Sequence, residues 1–137
     1  MQQMVITSSP QEAYRRQDVL TASSGDLIMM LYDALKKNII LGRRDIEKKN
    51  IARAHNHLMK AQDIVSELIN SLDMNYGISE ELLKMYEFML RKLQEANINK
   101  DVEPLVLIIE MVDNIREVWK EICSTNKGSV NLSENQA

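Results

Sequence analysis

The chain of 137 residues has the size of one ordinary domain, which can bury a sufficient core without disulfides or a structural metal. It is 45% hydrophobic and 27% charged, with only four glycines and two prolines; this excludes a low-complexity chain and disfavours a turn-rich all-β fold. The formal net charge of −3 argues against a protein that coats nucleic acid or an anionic membrane.

Cysteine content and apolar runs indicate where the protein resides. Cys123 is the single cysteine, so an intrachain disulfide is excluded. The longest wholly apolar run, Leu27 to Tyr32, is far shorter than the roughly 20 residues that span a bilayer. The apolar residues near Met1 are too few to form a signal peptide. We therefore predict a soluble, cytoplasmic protein without membrane insertion.

The chain begins with an arm that leads into a first helix. Residues 1–22 are interpreted as an N-terminal arm containing one short helical turn. Apolar residues then recur with helical spacing from Leu27 onward, which predicts a helix over 25–49. Gly42 lies inside this helix and costs about 1 kcal/mol relative to Ala, so the sequence leaves open a kink near Leu41.

Three further helices follow, each with start or stop signals of its own. Asn50 is suited to capping a helix over 51–72. A third helix is predicted over 79–97, where Asn97 is suited to ending it because Asn tolerates the left-handed conformation. Asp101 is suited to capping a fourth helix over 102–122.

Short connections between helices of this length predict one antiparallel arrangement. We expect an all-α fold, an up-down-up-down four-helix bundle over residues 23–123 with the short N-terminal helical arm before it. The polar residues 124–137 are expected to be a disordered tail. The connections leave no room for a second domain.

No pattern typical of catalysis, cofactor binding or metal binding is found. His55 and His57 lie two residues apart and point to different sides of a helix, and neither follows a Glu three residues earlier as in di-iron bundles. Cys123 has no nearby histidine that would activate it as a nucleophile. We therefore predict a protein that is not an enzyme and holds no cofactor or metal.

A basic stretch runs from Lys36 to Arg53. It contains seven basic residues against only Asp45 and Glu47, a local excess of five positive charges. A solvated helix face is the favoured interpretation, and a docking site for an acidic protein segment is the alternative. Nucleic-acid binding is disfavoured because no aromatic residues are interleaved with the basic ones.

The helices carry more apolar residues than a bundle core requires. A core-facing helix uses about three positions in seven, whereas 12 of the 21 residues from Val102 to Ile122 are large and apolar. A helix that is apolar on all sides must be covered by the arm, by a second copy or by a partner. Eight methionines beyond the initiator suit a surface that accepts varied helical ligands, although ordinary core filling is the favoured interpretation of each single methionine.

An ordered set of segments resembles the flagellar export chaperone family FliS. The resemblance extends over about residues 14–122 and rests on these residues: Tyr14, Val19-Leu20-Thr21-Ala22-Ser23, Leu27-Ile28-Met29-Met30-Leu31-Tyr32-Asp33, Lys60-Ala61-Gln62-Asp63-Ile64, Leu68, Leu72-Asp73, Leu83, Tyr86, Met89, Leu93, Ala96-Asn97 and Trp119.

This resemblance implies a non-enzymatic, cytoplasmic bundle that binds newly made flagellin. Such a chaperone holds the disordered C-terminal helical segment of flagellin, prevents premature polymerisation, and supports delivery to a component of the flagellar type III export gate. It also implies that the N-terminal arm covers part of the client groove when no client is bound, with Tyr14 as the plug.

We predict two groups of residues for the client groove. The first group lies near the arm, and the residues of the second group belong either to the groove or to the core. The first group is Tyr14, Val19, Leu27, Leu31 and Tyr32; the second is Leu68, Leu72, Tyr86, Leu93 and Trp119. The alternative function is a structural or adaptor bundle that self-associates through its apolar helices. The sequence leaves open whether the free protein is a monomer or a homodimer.

Overall fold

The computed structural model describes the backbone of residues 24–136 and the side chains of residues 25–121. Over this range the chain forms four helices: α1 Ser24–Glu47, α2 Ile51–Asn70, α3 Ile78–Asn99 and α4 Glu103–Gln136. Each helix packs against the next one in the chain, and α4 returns to pack against α1. The predicted all-α four-helix bundle is confirmed. Residues 1–23, which include the whole predicted arm, lie outside the described range.

The core forms because each helix presents one apolar stripe to the centre of the ring. Residues three and four positions apart lie on one side of a helix, so their side chains enter the core in layers. The two largest fully buried side chains are those of Tyr32 and Tyr86. The buried cluster consists of Ile28, Leu31, Tyr32, Leu35, Ile39, Leu58, Ala61, Val65, Leu68, Leu82, Tyr86, Met89, Leu93, Ala96, Leu105, Ile108, Val112 and Ile115.

Helix ends are set by local hydrogen bonds. The Asn50 side chain accepts a hydrogen bond from the Arg53 amide at 3.3 Å, which is the predicted cap of α2. Asn97 does not end α3, contrary to the prediction; the helix continues to Asn99 and Lys100 takes the left-handed conformation with φ 51°. Asn97 is instead buried, because its side chain is held between α2 and the Lys100 ammonium.

The fourth helix differs most from the prediction. Its backbone is helical to Gln136, whereas the sequence predicted an end near Ile122 and a disordered tail after it. Once a helix has begun, each added residue gains one hydrogen bond, and no proline follows Pro104 to interrupt it. Gly128 is the one strong helix-weakening residue in this stretch.

Gly42 lies at a tight contact between α1 and α2 and does not interrupt the helix. The helix is continuous through Gly42, and Gly42 is buried. A Cβ atom placed on Gly42 would lie 2.7 Å from Leu58 Cδ2 and 3.0 Å from Leu58 Cγ. Leu58 is itself fully buried, so the neighbour has little room to move away. The absent side chain therefore allows this helix contact.

We expect Gly42→Ala to lower the free energy of unfolding by about 1 kcal/mol. The gain in helix propensity of about 1 kcal/mol is outweighed by overpacking against Leu58, which costs about 1–3 kcal/mol. In a Leu58→Ala background the same change is expected to stabilise by about 1 kcal/mol, because the contact is gone. Urea unfolding of the four proteins of this cycle measures both values.

The matched control is Gly77→Ala. Nothing lies within 4 Å of a Cβ atom placed on Gly77, and its φ of −61° suits any residue, so we expect a change between zero and a small gain in stability. A Gly42→Ala protein that is more stable than the parent would contradict the steric explanation.

Candidate functional site

At the centre of the bundle, two buried phenols join α1 to α3. The Tyr32 and Tyr86 hydroxyls lie 2.6 Å apart in a hydrogen bond, and both side chains are almost completely buried. The Trp119 side chain from α4 packs against this core and is half-buried. Burial raises the pKa of both phenols well above the ordinary value, because the phenolate would lose its hydration. The pair is therefore neutral and structural at physiological pH.

Half of the residues predicted for the client groove lie in this core. Five of the ten are buried in the centre of the bundle: Leu31, Tyr32, Leu68, Tyr86 and Leu93. Tyr14 and Val19 lie outside the described residues. Leu27, Leu72 and Trp119 are half-buried, and all three lie near the end of the bundle where α1 begins and α2 ends. The structure thus brings three of the predicted residues to an accessible position.

An apolar stripe runs along the side of α4 that faces away from α1. Two ion pairs identify the α1 side: Arg116 binds Asp33 and Asp113 binds Lys36, each at 2.7 Å. Positions 107, 111, 114 and 118 have the spacing of one helix side and are rotated by roughly half a turn from those ion-pairing residues. This stripe therefore borders α3. Leu107 and Val118 are 40% and 53% exposed.

A second apolar stripe on α3 faces the first. The side of α3 that faces α2 is identified by Asn97, whose amide donates to His55 Nδ1 at 3.0 Å. Met85 and Phe88 lie on a different side of α3, toward α4, and both are half-buried. The cationic ends of Lys92 and Arg91 lie 5.6 and 5.9 Å from the centre of the Phe88 ring.

These two stripes form the surface that we call the α3–α4 groove, defined by Met85, Phe88, Leu107, Met111 and Val118. α3 and α4 pack less extensively than any other neighbouring pair of helices, which leaves the groove open. Its methionines can repack around ligands of different shape. An open apolar groove between two helices is suited to receiving the apolar face of a further helix.

Both histidines take part in contacts between helices. His55 pairs with Asn97 of α3, and His57 Nδ1 lies 3.3 Å from Asn38 Oδ1 of α1. His57 Nε2 lies 3.6 Å from the buried Asp45 carboxylate. Among the described residues, no group of three or more histidine, cysteine or acidic side chains is placed to hold a metal ion.

Among the described residues, none of the helices is both long enough and apolar enough to cross a bilayer.

The described helices form an all-α four-helix bundle with an apolar surface between α3 and α4. The model of a protein family described as flagellar protein FliS matches residues 7–126, and the chain belongs to this FliS family. FliS is a chaperone family and not an enzyme family. The family resemblance found in the sequence is thereby confirmed.

Three relatives show how far the similarity extends. The chain is 34% identical to the flagellar secretion chaperone FliS of Bacillus subtilis (strain 168), over 87% of this chain and 90% of that protein. It is 30% identical to the flagellar secretion chaperone FliS of Salmonella typhimurium, over 76% and 79% of the two chains. The corresponding protein of Vibrio cholerae is 29% identical, over 81% and 86%.

The residues of the α3–α4 groove were not among those predicted from the sequence. Leu107, Met111 and Val118 belong to the apolar surplus of the fourth helix, so the signal was present. The sequence did not indicate the direction in which these side chains point, because that direction depends on which helix borders each side of α4. Phe88 and Met85 carried no distinguishing signal, since their spacing also fits an ordinary core stripe.

We expect Tyr32→Phe and Tyr86→Phe each to lower the free energy of unfolding by about 1–3 kcal/mol. Either change leaves the remaining buried hydroxyl without its hydrogen-bond partner. The double variant removes both hydroxyls and is expected to cost less than the sum of the single changes, as measured by urea unfolding. Additive losses would contradict the hydrogen-bonded arrangement.

The raised pKa of both phenols predicts a loss of stability in alkali. Below pH 10 the phenols are protonated in both folded and unfolded chains, so they cause no pH dependence. Above pH 10 the unfolded chain releases these protons while the fold retains them, so stability falls by up to about 1.4 kcal/mol per pH unit for each tyrosine.

We expect the Tyr32→Phe/Tyr86→Phe protein to lose this part of the alkaline slope in unfolding measurements between about pH 9 and pH 11. Tyr76→Phe is the control, because Tyr76 is 65% exposed, and its slope is expected to match the parent. An unchanged slope in the double variant would show that the phenols are not protected by the fold.

Proposed function

We propose that this protein is a bacterial cytoplasmic export chaperone that binds the C-terminal helical segment of flagellin. In this role it prevents premature polymerisation of flagellin and supports delivery to the flagellar type III secretion apparatus, through a component of the export gate. Membership of the FliS family and the name of the three relatives, flagellar secretion chaperone, support this assignment.

The single observation that carries the proposal is the open α3–α4 groove. A disordered client segment that folds into an amphipathic helix there covers Leu107, Val118 and Phe88, which water otherwise contacts. Burying about 800 Å² of apolar area would contribute on the order of 20 kcal/mol gross, and ordering the client offsets most of it. Such a groove gives tight but reversible holding, which an export chaperone needs.

The half-buried residues predicted from the sequence extend this surface in the proposal. Leu27, Leu72 and Trp119 lie near one end of the bundle, where the described chain begins at α1. We propose that they form the second part of the client surface and that the preceding segment, with Tyr14 and Val19, covers them until the client binds. The buried Leu31, Tyr32, Leu68, Tyr86 and Leu93 then contribute by holding the helices in place.

Calorimetric titration with a peptide of the C-terminal helical region of the same organism's flagellin tests the proposal. We expect saturable one-to-one binding, a negative heat-capacity change, and a gain in helix by circular dichroism. Absence of binding by a folded protein would overturn the function. Sedimentation of the free protein at several concentrations measures self-association, and a mass that rises with concentration would favour the alternative of a self-associating bundle.

The location of the groove is tested by Leu107→Asp and Val118→Asp. We expect each change to weaken peptide binding by about tenfold or more, because a carboxylate buried under the client lacks a partner. Met59→Asp is the matched control: Met59 is also 40% exposed but lies on α2, so we expect unchanged affinity. If Met59→Asp lost peptide binding while Leu107→Asp and Val118→Asp bound normally, the client site would have to be assigned to α2.

A further inference from the structure

The outward surface of α1 carries a shallow groove that the proposed client site does not use. The groove has a volume of about 400 Å³ and is lined by Asp33, Lys36, Lys37, Ile40, Leu41 and Arg44. These residues form two rows along the helix with a spacing of four, one from Asp33 to Leu41 and one from Lys36 to Arg44. A groove between two such rows is the shape into which the side-chain ridge of another helix packs.

The charges around this groove are uncompensated. Lys36 and Arg43 are engaged in ion pairs with Asp113 and Glu47. Lys37 and Arg44 line the groove, and Lys48, Lys49 and Arg53 follow along the chain; all five are exposed and make no ion pair within the described part of the chain. This local charge contrasts with the formal net charge of −3 of the whole protein. The groove therefore attracts a negatively charged occupant.

The remaining segments of this chain do not supply that negative charge. Residues 1–23 contain two acidic and two basic side chains, and residues 122–137 contain one of each, so both segments are formally neutral. Neither segment therefore offers the excess negative charge that this groove attracts, which favours a separate molecule as its occupant. The residues that line this groove are not among those of the proposed client surface, so such a molecule can bind while the client is bound.

We propose that this groove, together with its cations, docks an acidic amphipathic helix of a partner protein. Ile40 and Leu41 stand between the cations and accept an apolar ridge, while Lys37, Arg44 and Lys48 meet acidic side chains on both flanks of the partner helix. A nucleic acid would make no use of the two aliphatic residues, and the groove contains no aromatic side chain on which bases stack. This docking role goes beyond flagellin binding.

The probe for this proposal is a synthetic helical peptide of about 18 residues, which spans about 27 Å. In this acidic peptide, leucine occupies one side of the helix and glutamate occupies both flanks of that side. A second peptide, the control, has glutamine in place of every glutamate. By fluorescence anisotropy with the full-length protein, we expect the acidic peptide to bind and the glutamine peptide to bind at least about tenfold more weakly. The affinity should fall as NaCl rises from about 0.05 to about 0.3 M.

The variant Lys37→Glu/Arg44→Glu is expected to weaken binding of the acidic peptide by about tenfold or more. Its matched control is Lys60→Glu/Lys84→Glu, which changes the net charge equally at exposed, unpaired lysines on α2 and α3. We expect the control to retain the parent affinity within about twofold, because the charges lie away from the groove. Ile40→Asp tests the apolar part and is expected to weaken binding as well.

The proposal would be overturned if the acidic peptide did not bind, or if both charge variants lost the same affinity for it. Binding of single-stranded DNA or anionic vesicles as tight as binding of the acidic peptide would also overturn it. So would a dimer of the protein that Lys37→Glu/Arg44→Glu dissociates. The last result would assign the groove to a second copy of this chain. The flagellin peptide is titrated in the same samples. Failure of the acidic peptide with normal flagellin binding would reject the docking site alone.

Discussion

The hydrogen bond between Tyr32 and Tyr86 links two helices that are not neighbours in the ring, α1 and α3, across the centre of the bundle. Both hydroxyls are shielded from water, so each must find its partner inside the protein. A bundle in which either helix were rotated or shifted would bury two unpaired polar groups. Apolar packing alone tolerates several such arrangements, whereas this polar contact selects one. The close approach at Gly42 and the opening between α3 and α4 exist within that one arrangement.

Much of the fold was predictable because it depends on neighbours in sequence. Apolar spacing located the helices, and the cap at Asn50 is a contact over three residues. Gly42 shows what local sequence does not predict. A glycine weakens an isolated helix, but in the bundle Gly42 permits a close contact with Leu58 of another helix, and this contact is not visible in the neighbouring sequence. Tyr32 and Leu31 belong to an apolar stripe, but a stripe does not reveal whether helices or a client cover it. Phe88 and Val118 became recognisable as one surface only when the order of helices around the ring was known.

The bundle presents two surfaces of different chemistry at separate places on its exterior. One is apolar and rich in adaptable side chains, between α3 and α4; the other is basic, on the outside of α1. Both are grooves of helical geometry, since a bundle offers few other shapes at its surface. A single small domain can therefore hold one disordered chain by burial while a second molecule is attracted by charge, and neither event needs a movement of the core.

The two ion pairs between α1 and α4 have opposite polarity, with Asp33 beside Arg116 and Lys36 beside Asp113. Exposed pairs of this kind add little stability. Their arrangement nevertheless penalises a translational slip of one helix turn along the α1–α4 interface. A slip in one direction would set Asp33 against Asp113, and a slip in the other would set Lys36 against Arg116. Either way a like-charge contact replaces an attraction, so these two ion pairs favour the observed register of α4 against α1 over a shift by one turn.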